Sequence, residues 1–206
     1  MRAEELFDPR AREQIEAAVQ EAERHTSGEI VPMVVTQSHD YAGVRAVAAA
    51  LLAFAAGVGV LASPLEASRW LPPLQVAVFA AGYALAGWRP LLFWLVPRSR
   101  GAWHVDRAAK LAFVEEGLVE TRDRTGILIF VSLLEHRVEI LADRGIDACV
   151  EDGTWDGVVR HVLDGIRTGE AEHALCQAIT ECGRLLATPF PPRGEDPNEL
   201  PNQLRS

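Results

Sequence analysis

Apolar and polar positions alternate along Arg137–Ala142, with Val138, Ile140 and Ala142 on one face and Arg137, Glu139 and Leu141 on the other. That period of two predicts a strand with two different environments. Just upstream, Ile127–Val131 is an uninterrupted apolar run after Gly126, the pattern of a strand buried on both faces. Together they predict an antiparallel hairpin whose first strand is central to a sheet. The turn at Glu135-His136 lacks the Asn-Gly signature, which leaves its type open.

Helical spacing governs most of the remaining chain. Asp8-Pro9 reads as an N-cap followed by a first-turn proline, with Ile15, Ala18, Val19 and Ala22 on one face. His25–Gly28 ends that helix, and Glu29–Thr36 reads as a strand that Pro32 pushes towards an edge or a bulge. Asp106 is placed to cap a helix with Ala108, Leu111, Ala112, Leu118 and Val119 on one side, ending near Arg122. Trp155, Val158, Val159, Val162, Leu163 and Ile166 define a strongly amphipathic helix, with Asp152 or Thr154 as its cap. Thr168-Gly169 breaks it, and Ala171–Leu186 gives another. Five prolines follow Thr188, so residues 189–206 are expected to form an irregular tail.

One segment obeys neither period. Ala46–Leu65 carries no charge, and after a link at Glu66–Trp70 the run Leu71–Trp88 is again charge-free and continues apolar through Pro90–Pro97. Twenty such residues make a helix about 30 Å long, the thickness of a bilayer core. A transmembrane helical hairpin over residues 43–97 is the reading, because the rest of the chain is too small to bury two all-apolar helices. Trp70, Trp88, Trp94 and Trp103 cluster at or beyond the ends of the second run, as interfacial anchors do. Ala49, Ala53 and Gly57 form a small-residue stripe that lets two helices approach. Arg89 lies near a helix end, where it can reach the headgroups.

Charge sharpens this division. From Arg45 to Lys110 there are seven basic and two acidic residues, +5, so the remainder of a chain of net −9 carries −14. The basic flanks Arg45, Arg98, Arg100, Arg107 and Lys110 outweigh Arg69 in the link, which places both termini in the cytoplasm of an inner membrane. The soluble elements read α–β–(hairpin)–α–β–β–α–α. Neither flank holds enough strands for a sheet, so the strands must meet across the insertion. The expected fold class is therefore α/β, a small mixed sheet flanked by helices and interrupted by a transmembrane helical hairpin. Residues 1–40 and 101–188 form the discontinuous cytoplasmic domain.

Little in the chain points to chemistry. So acidic a remainder argues against nucleic acid, whose phosphates require clustered Lys and Arg. Cys149, Cys176 and Cys182 have neither CxxC nor zinc spacing, and Cys182 on its apolar helical face reads as a buried thiol. There is no G-x-S-x-G, P-loop or H-E-x-x-H, and the histidines are scattered.

Three stretches carry a family likeness: S-G-E-I-V-P-M-V-V after an N-terminal helix, T-G-I-L-I-F-V-S-L, and R-V-E-I-L-A-D-R-G-I. They resemble the TPM domain, and Thr121–Gly126 and Asn198–Pro201 resemble its bacterial membrane-protein branch, in which a hydrophobic hairpin interrupts the domain. The resemblance implies an α/β fold with helices flanking a small sheet. Some members are described as phosphatase-like, others bind divalent cations, and others are accessory factors of membrane complexes.

The acidic loop Asp143–Thr154 is the one candidate site. Its topology places it beside His25-Thr26-Ser27 and Arg122-Asp123-Arg124 at the membrane-distal end of the sheet. Asp147, Glu151 and Asp152 are the candidate oxygen ligands for Ca²⁺ or Mg²⁺, although their spacing matches no EF-hand and the loop differs from the G-x-G-L-E form of soluble relatives. No other cofactor and no catalytic residue is expected. The leading functional reading is a non-enzymatic accessory module that sits in the lipid bilayer and binds another membrane or cytoplasmic protein. Its rival is a metal-dependent phosphatase using the acidic loop.

Overall fold

The computed structural model describes residues 6–62, 70–151, 153–192 and 200–205. Asp8 caps the first helix, α1 (Pro9–Glu23), by accepting a 2.7 Å hydrogen bond from the Ala11 amide, and Pro9 fills the first turn as expected. Strand β1 (Glu29–Val35) follows. The hydrophobic segment comprises α2 (Ala42–Ala62), α3 (Leu71–Ala86) and the short α4 (Arg89–Leu95). Beyond it come α5 (Arg98–Glu115), a 3-10 turn (Leu118–Glu120), β2 (Gly126–Ser132), β3 (Arg137–Ala142), the four-residue α6 (Arg144–Asp147), α7 (Asp156–Thr168) and α8 (Ala171–Ala187).

The strands form one sheet in the order β1-β2-β3. β1 pairs in parallel with β2, Glu29 opposite Gly126 and Val35 opposite Ser132. β2 pairs antiparallel with β3, Ser132 opposite Arg137 and Ile127 opposite Ala142. Strands from the two sides of the hydrophobic insertion thus share a sheet, and all seven residues of central β2 are buried. The hairpin turn is Leu133–His136, with His136 in the left-handed region at φ 49°. Glu135 secures it by accepting hydrogen bonds from the Ser38 amide and the Ser132 hydroxyl.

Two cores lie on the two faces of this sheet, as the pleat requires. Ile30, Val34, Ile127, Ile129, Val131, Val138 and Ile140 face α1, α7 and α8, whose contributions include Ile15, Val19, Val162 and Ile179. Val31, Leu128, Phe130 and Leu141 face the other way, under Val105, Ala109, Ala112 and Phe113 of α5. α7 and α8 turn against each other at Gly169, which takes φ 83°.

The chain divides into two compact units, one of Met1–Ser38 with Ala102–Ser206, the other of His39–Gly101. Within the second, α2 packs against α3 with Ala49, Ala53 and Gly57 as its buried residues, while Val47, Leu51, Phe54 and Leu61 are exposed. Ala49 and Gly82 bring the two backbones together, so closely that a Cβ at Gly82 would lie 3.3 Å from the Ala49 Cα. Arg45 donates to the Tyr83 carbonyl at 3.3 Å and stacks on the Tyr83 ring at 4.2 Å. By length and composition α2 is able to cross a membrane, and α3 with α4 makes a second candidate only if the bent pair counts as one span.

Three expectations are corrected. The second apolar run is not one straight helix. It bends by 95° between α3 and α4, because Trp88 is extended (ψ 122°) and Pro90 stands in the first turn of a new helix. α3 alone, with 16 residues, reaches about 24 Å. Helix α5 starts at Arg98 rather than at Asp106, whose side chain pairs with Lys110 at 2.8 Å, and it buries Val105, Ala109, Ala112 and Phe113 while Leu111 is exposed. Helix α7 has no side-chain cap: Trp155 holds that position, and the Thr154 hydroxyl donates to the Glu151 carbonyl instead. The described end of the Pro-rich tail has no helix or strand of its own, and it is anchored on the sheet. Arg205 forms a parallel bridge to Met33 on the open edge of β1. The Glu66–Trp70 link, apart from Trp70, lies outside the described residues.

Candidate functional site

The acidic loop begins where β3 ends, so its geometry is set by the polar end of the sheet. Asp143 is buried there and caps α6: Oδ1 accepts from the Arg144 amide at 2.7 Å, and Oδ2 pairs with the Arg124 guanidinium at 3.4 Å. The Arg124 side chain also donates to the Val119 carbonyl, and its backbone takes φ 59°. Thr125 donates its hydroxyl to the Ser27 carbonyl at 2.9 Å, and its amide reaches the Thr121 hydroxyl at 3.2 Å. The Thr26 hydroxyl donates to Phe190 O at 2.8 Å. The loops Thr26-Ser27, Thr121–Thr125 and Asp143–Asp147 are thereby brought together as their order along the strands predicts.

This end is a joint between loops. Both oxygens of Asp143 and the hydroxyls of Thr26, Thr121 and Thr125 are committed to partners within it. Gly145 shows how tightly it closes, since a Cβ there would lie 2.6 Å from the Arg124 carbonyl oxygen and 2.9 Å from that of Asp123. Those are backbone atoms that cannot swing aside. Gly145→Ala is therefore expected to cost about 2–3 kcal/mol in thermal or chemical denaturation. Gly157→Ala, with nothing within 4 Å of the new methyl, is expected to be neutral or slightly stabilising.

The predicted ligands lie outside this joint. Asp147 ends α6 and Glu151 follows in the next turn, and both are exposed. Asp152 lies outside the described residues. Among the described residues no three His, Cys, Asp or Glu side chains are gathered as a metal ion would need. His25 and His173 bond to Glu21 and Gln177, at 3.2 and 2.8 Å. Cys182 is fully buried against α1 and the sheet, and burial pushes its thiol up to about 12, which makes it inert at neutral pH.

The most perturbed carboxyl among the described residues is one that sequence reasoning missed. Glu23, in the last turn of α1, turns inward to the open edge of β1. Its Oε1 accepts from the Ile30 amide at 3.0 Å and its Oε2 from the Asn202 side-chain amide at 2.8 Å. Burial, reinforced by the nearby Glu29 charge, raises its pKa to about 8 despite those two donors. Along the same edge Pro32 has no amide to satisfy, and Val34 N–H donates to Arg205 O at 2.9 Å while Arg205 N–H returns to Pro32 O at 3.0 Å. Arg205 then pairs with Glu116 at 2.7 Å. Ile30, Pro32 and Val34 are alternate residues of one strand, so every outward amide of this stretch is capped or absent, which closes the edge. Pro32 was the visible signal for an edge. Glu23 carried none, since a glutamate in the last turn of a helix reads as solvated.

Residues 91–185 match the family model described as TPM domain. The match takes in β2 and β3 but not β1, which the hydrophobic segment separates from them in sequence. No curated protein matches the chain. Among solved structures, the NMR structure of the BA42 protein from the psychrophilic bacterium Bizionia argentinensis shares the fold. The TM-score is 0.61 at 20% identity, covering 98% of this chain and 97% of that one.

Proposed function

We propose that this chain, whose residues 91–185 match the TPM domain model, is a membrane-anchored, non-enzymatic accessory module, with the domain held on the cytoplasmic side to bind a membrane or cytoplasmic partner protein. The observation that supports the anchor is the inside-out packing of α2. Its small residues Ala49, Ala53 and Gly57 face inward, while Val47, Leu51, Leu52, Phe54, Val58 and Leu61 are each at least half exposed. In water such a face forfeits roughly 1.5–3 kcal/mol per large side chain, whereas lipid tails accept it at no such cost. An accessory role rather than catalysis is favoured by the polar end of the sheet, where Asp143, Arg124 and the threonines are spent on joining loops.

Two measurements test this reading on the full-length chain. The protein is expected to remain in the membrane fraction through alkaline carbonate. In intact spheroplasts a Ser68→Cys variant is expected to react with an impermeant thiol reagent, while native Cys149, exposed on the domain, reacts only after lysis. Release by carbonate would defeat the anchor, and early labelling of Cys149 would defeat the orientation. Calorimetry with Ca²⁺ and Mg²⁺ addresses the rival: saturable heat lost in Asp147→Asn and Glu151→Gln, with turnover of a phosphate ester, would replace the accessory role by a metal-dependent phosphatase.

A further inference from the structure

We infer that α5 is a two-sided helix whose outer face, Trp103, Arg107, Leu111 and Val114, lies on an anionic lipid headgroup surface. The steps between these residues are four, four and three, which puts them in one stripe on an α-helix. Val105, Ala109, Ala112 and Phe113 on the other side are buried against the sheet, so the helix is fixed by its inner face. The outer face is not covered: Trp103 is 55%, Leu111 57% and Val114 58% exposed. The Arg107 guanidinium sits 5.4 Å from the centre of the Trp103 ring, a cation held against an aromatic face.

Charge selects the occupant. Residues 45–110 carry +5 and the rest of the chain −14. Most of the protein is therefore repelled by anionic headgroups, and the basic residues that end this segment mark the surface able to approach them. A tryptophan, an arginine and two aliphatic side chains in one stripe are the composition of an interfacial helix face, with the apolar groups below the headgroups and the guanidinium among them. α5 also begins three residues after α4 ends. On the anchor reading, on which this inference rests, the bilayer is therefore held near the helix by the chain itself, which favours lipid over a diffusing acidic protein.

The test uses the full-length protein in phosphatidylcholine vesicles with and without phosphatidylglycerol. Cys149 and Cys176 are replaced by serine, and a nitrobenzoxadiazole label is placed on Leu111→Cys or, as a control on exposed α7, on His161→Cys. With phosphatidylglycerol the label at 111 is expected to be blue-shifted and quenched by aqueous dithionite about fivefold more slowly than the label at 161. Arg107→Glu with Lys110→Glu is expected to bring the two rates together. If 111 and 161 quench alike while the protein resists carbonate, the interfacial helix is overturned and the anchor stands. If carbonate strips the protein from the vesicles, both fall. Protection that needs an added soluble protein fraction, or that is equal without phosphatidylglycerol, also overturns the assignment to anionic lipid.

Discussion

Raising the pH from about 5 to 9 is expected to lower the stability of the α/β unit, and Glu23→Gln is expected to remove most of that slope. Glu23 has its pKa raised from 4.5 to about 8 by burial and by the Glu29 charge. Between those values the folded protein keeps a proton that the unfolded chain has released. The stabilisation is therefore fully present below pH 4.5 and is lost as the pH rises through 8. At about 1.4 kcal/mol per pKa unit the ceiling is ~5 kcal/mol, and the partial exposure of Glu23 brings the expected loss nearer 2–3 kcal/mol. Glutamine keeps a carbonyl for the Ile30 amide, and Asn202 can turn its own oxygen towards the new NH₂ group. The carboxylates whose pKa is lowered, Glu21 beside His25 and Arg24 and Glu181 beside Arg184, act in the opposite sense and below pH 4.5, outside this window. Thermal melts at pH 5, 7 and 9 decide the matter. Parallel profiles for wild type and Glu23→Gln would show that the proton is held elsewhere.

Deleting residues 201–206 is expected to destabilise the same unit by several kcal/mol. The deletion removes the two main-chain bonds of Arg205 to β1, the Asn202–Glu23 bond and the half-buried Arg205–Glu116 pair, each worth about 1 kcal/mol net. It also removes Leu204, 7% exposed in the larger core, worth about 1.5–3 kcal/mol. Arg205→Ala keeps the backbone bonds and is expected to cost only about 1 kcal/mol. The deletion should also flatten the pH profile, because Glu23 regains water, and promote association through the reopened edge of β1. An unchanged melting temperature in the deletion would show that the tail contributes nothing to folded stability.

Where the fold could be read in advance, local rules were enough. Ile127–Val131 had to be central because an all-apolar strand is stable only when both its faces are covered. Asp8-Pro9 had to open a helix, since the cap and the proline both act within one turn. Ala49, Ala53 and Gly57 marked the contact face of α2 because only small side chains allow helices so close. α5 was misread because its sequence supports two apolar stripes, and Leu111 belongs to the one that the sheet does not bury. The break after α3 depended on Trp88, whose extended backbone no periodicity records. The acidic loop after β3 is legible as a cluster of carboxylates, but its sequence does not tell that Asp143 bonds to Arg144 and Arg124 while Asp147 and Glu151 stay on the surface.

The pattern of side chains along the chain thus determined the elements, the central hairpin and the segment unsuited to water, because each follows from interactions within a few residues. The tertiary structure alone decided that Glu23 would be buried, that Asn202 and Arg205 would seal β1 from more than 160 positions away, and which face of α5 would remain open. Those outcomes depend on what else occupies the same space, and no local period encodes that.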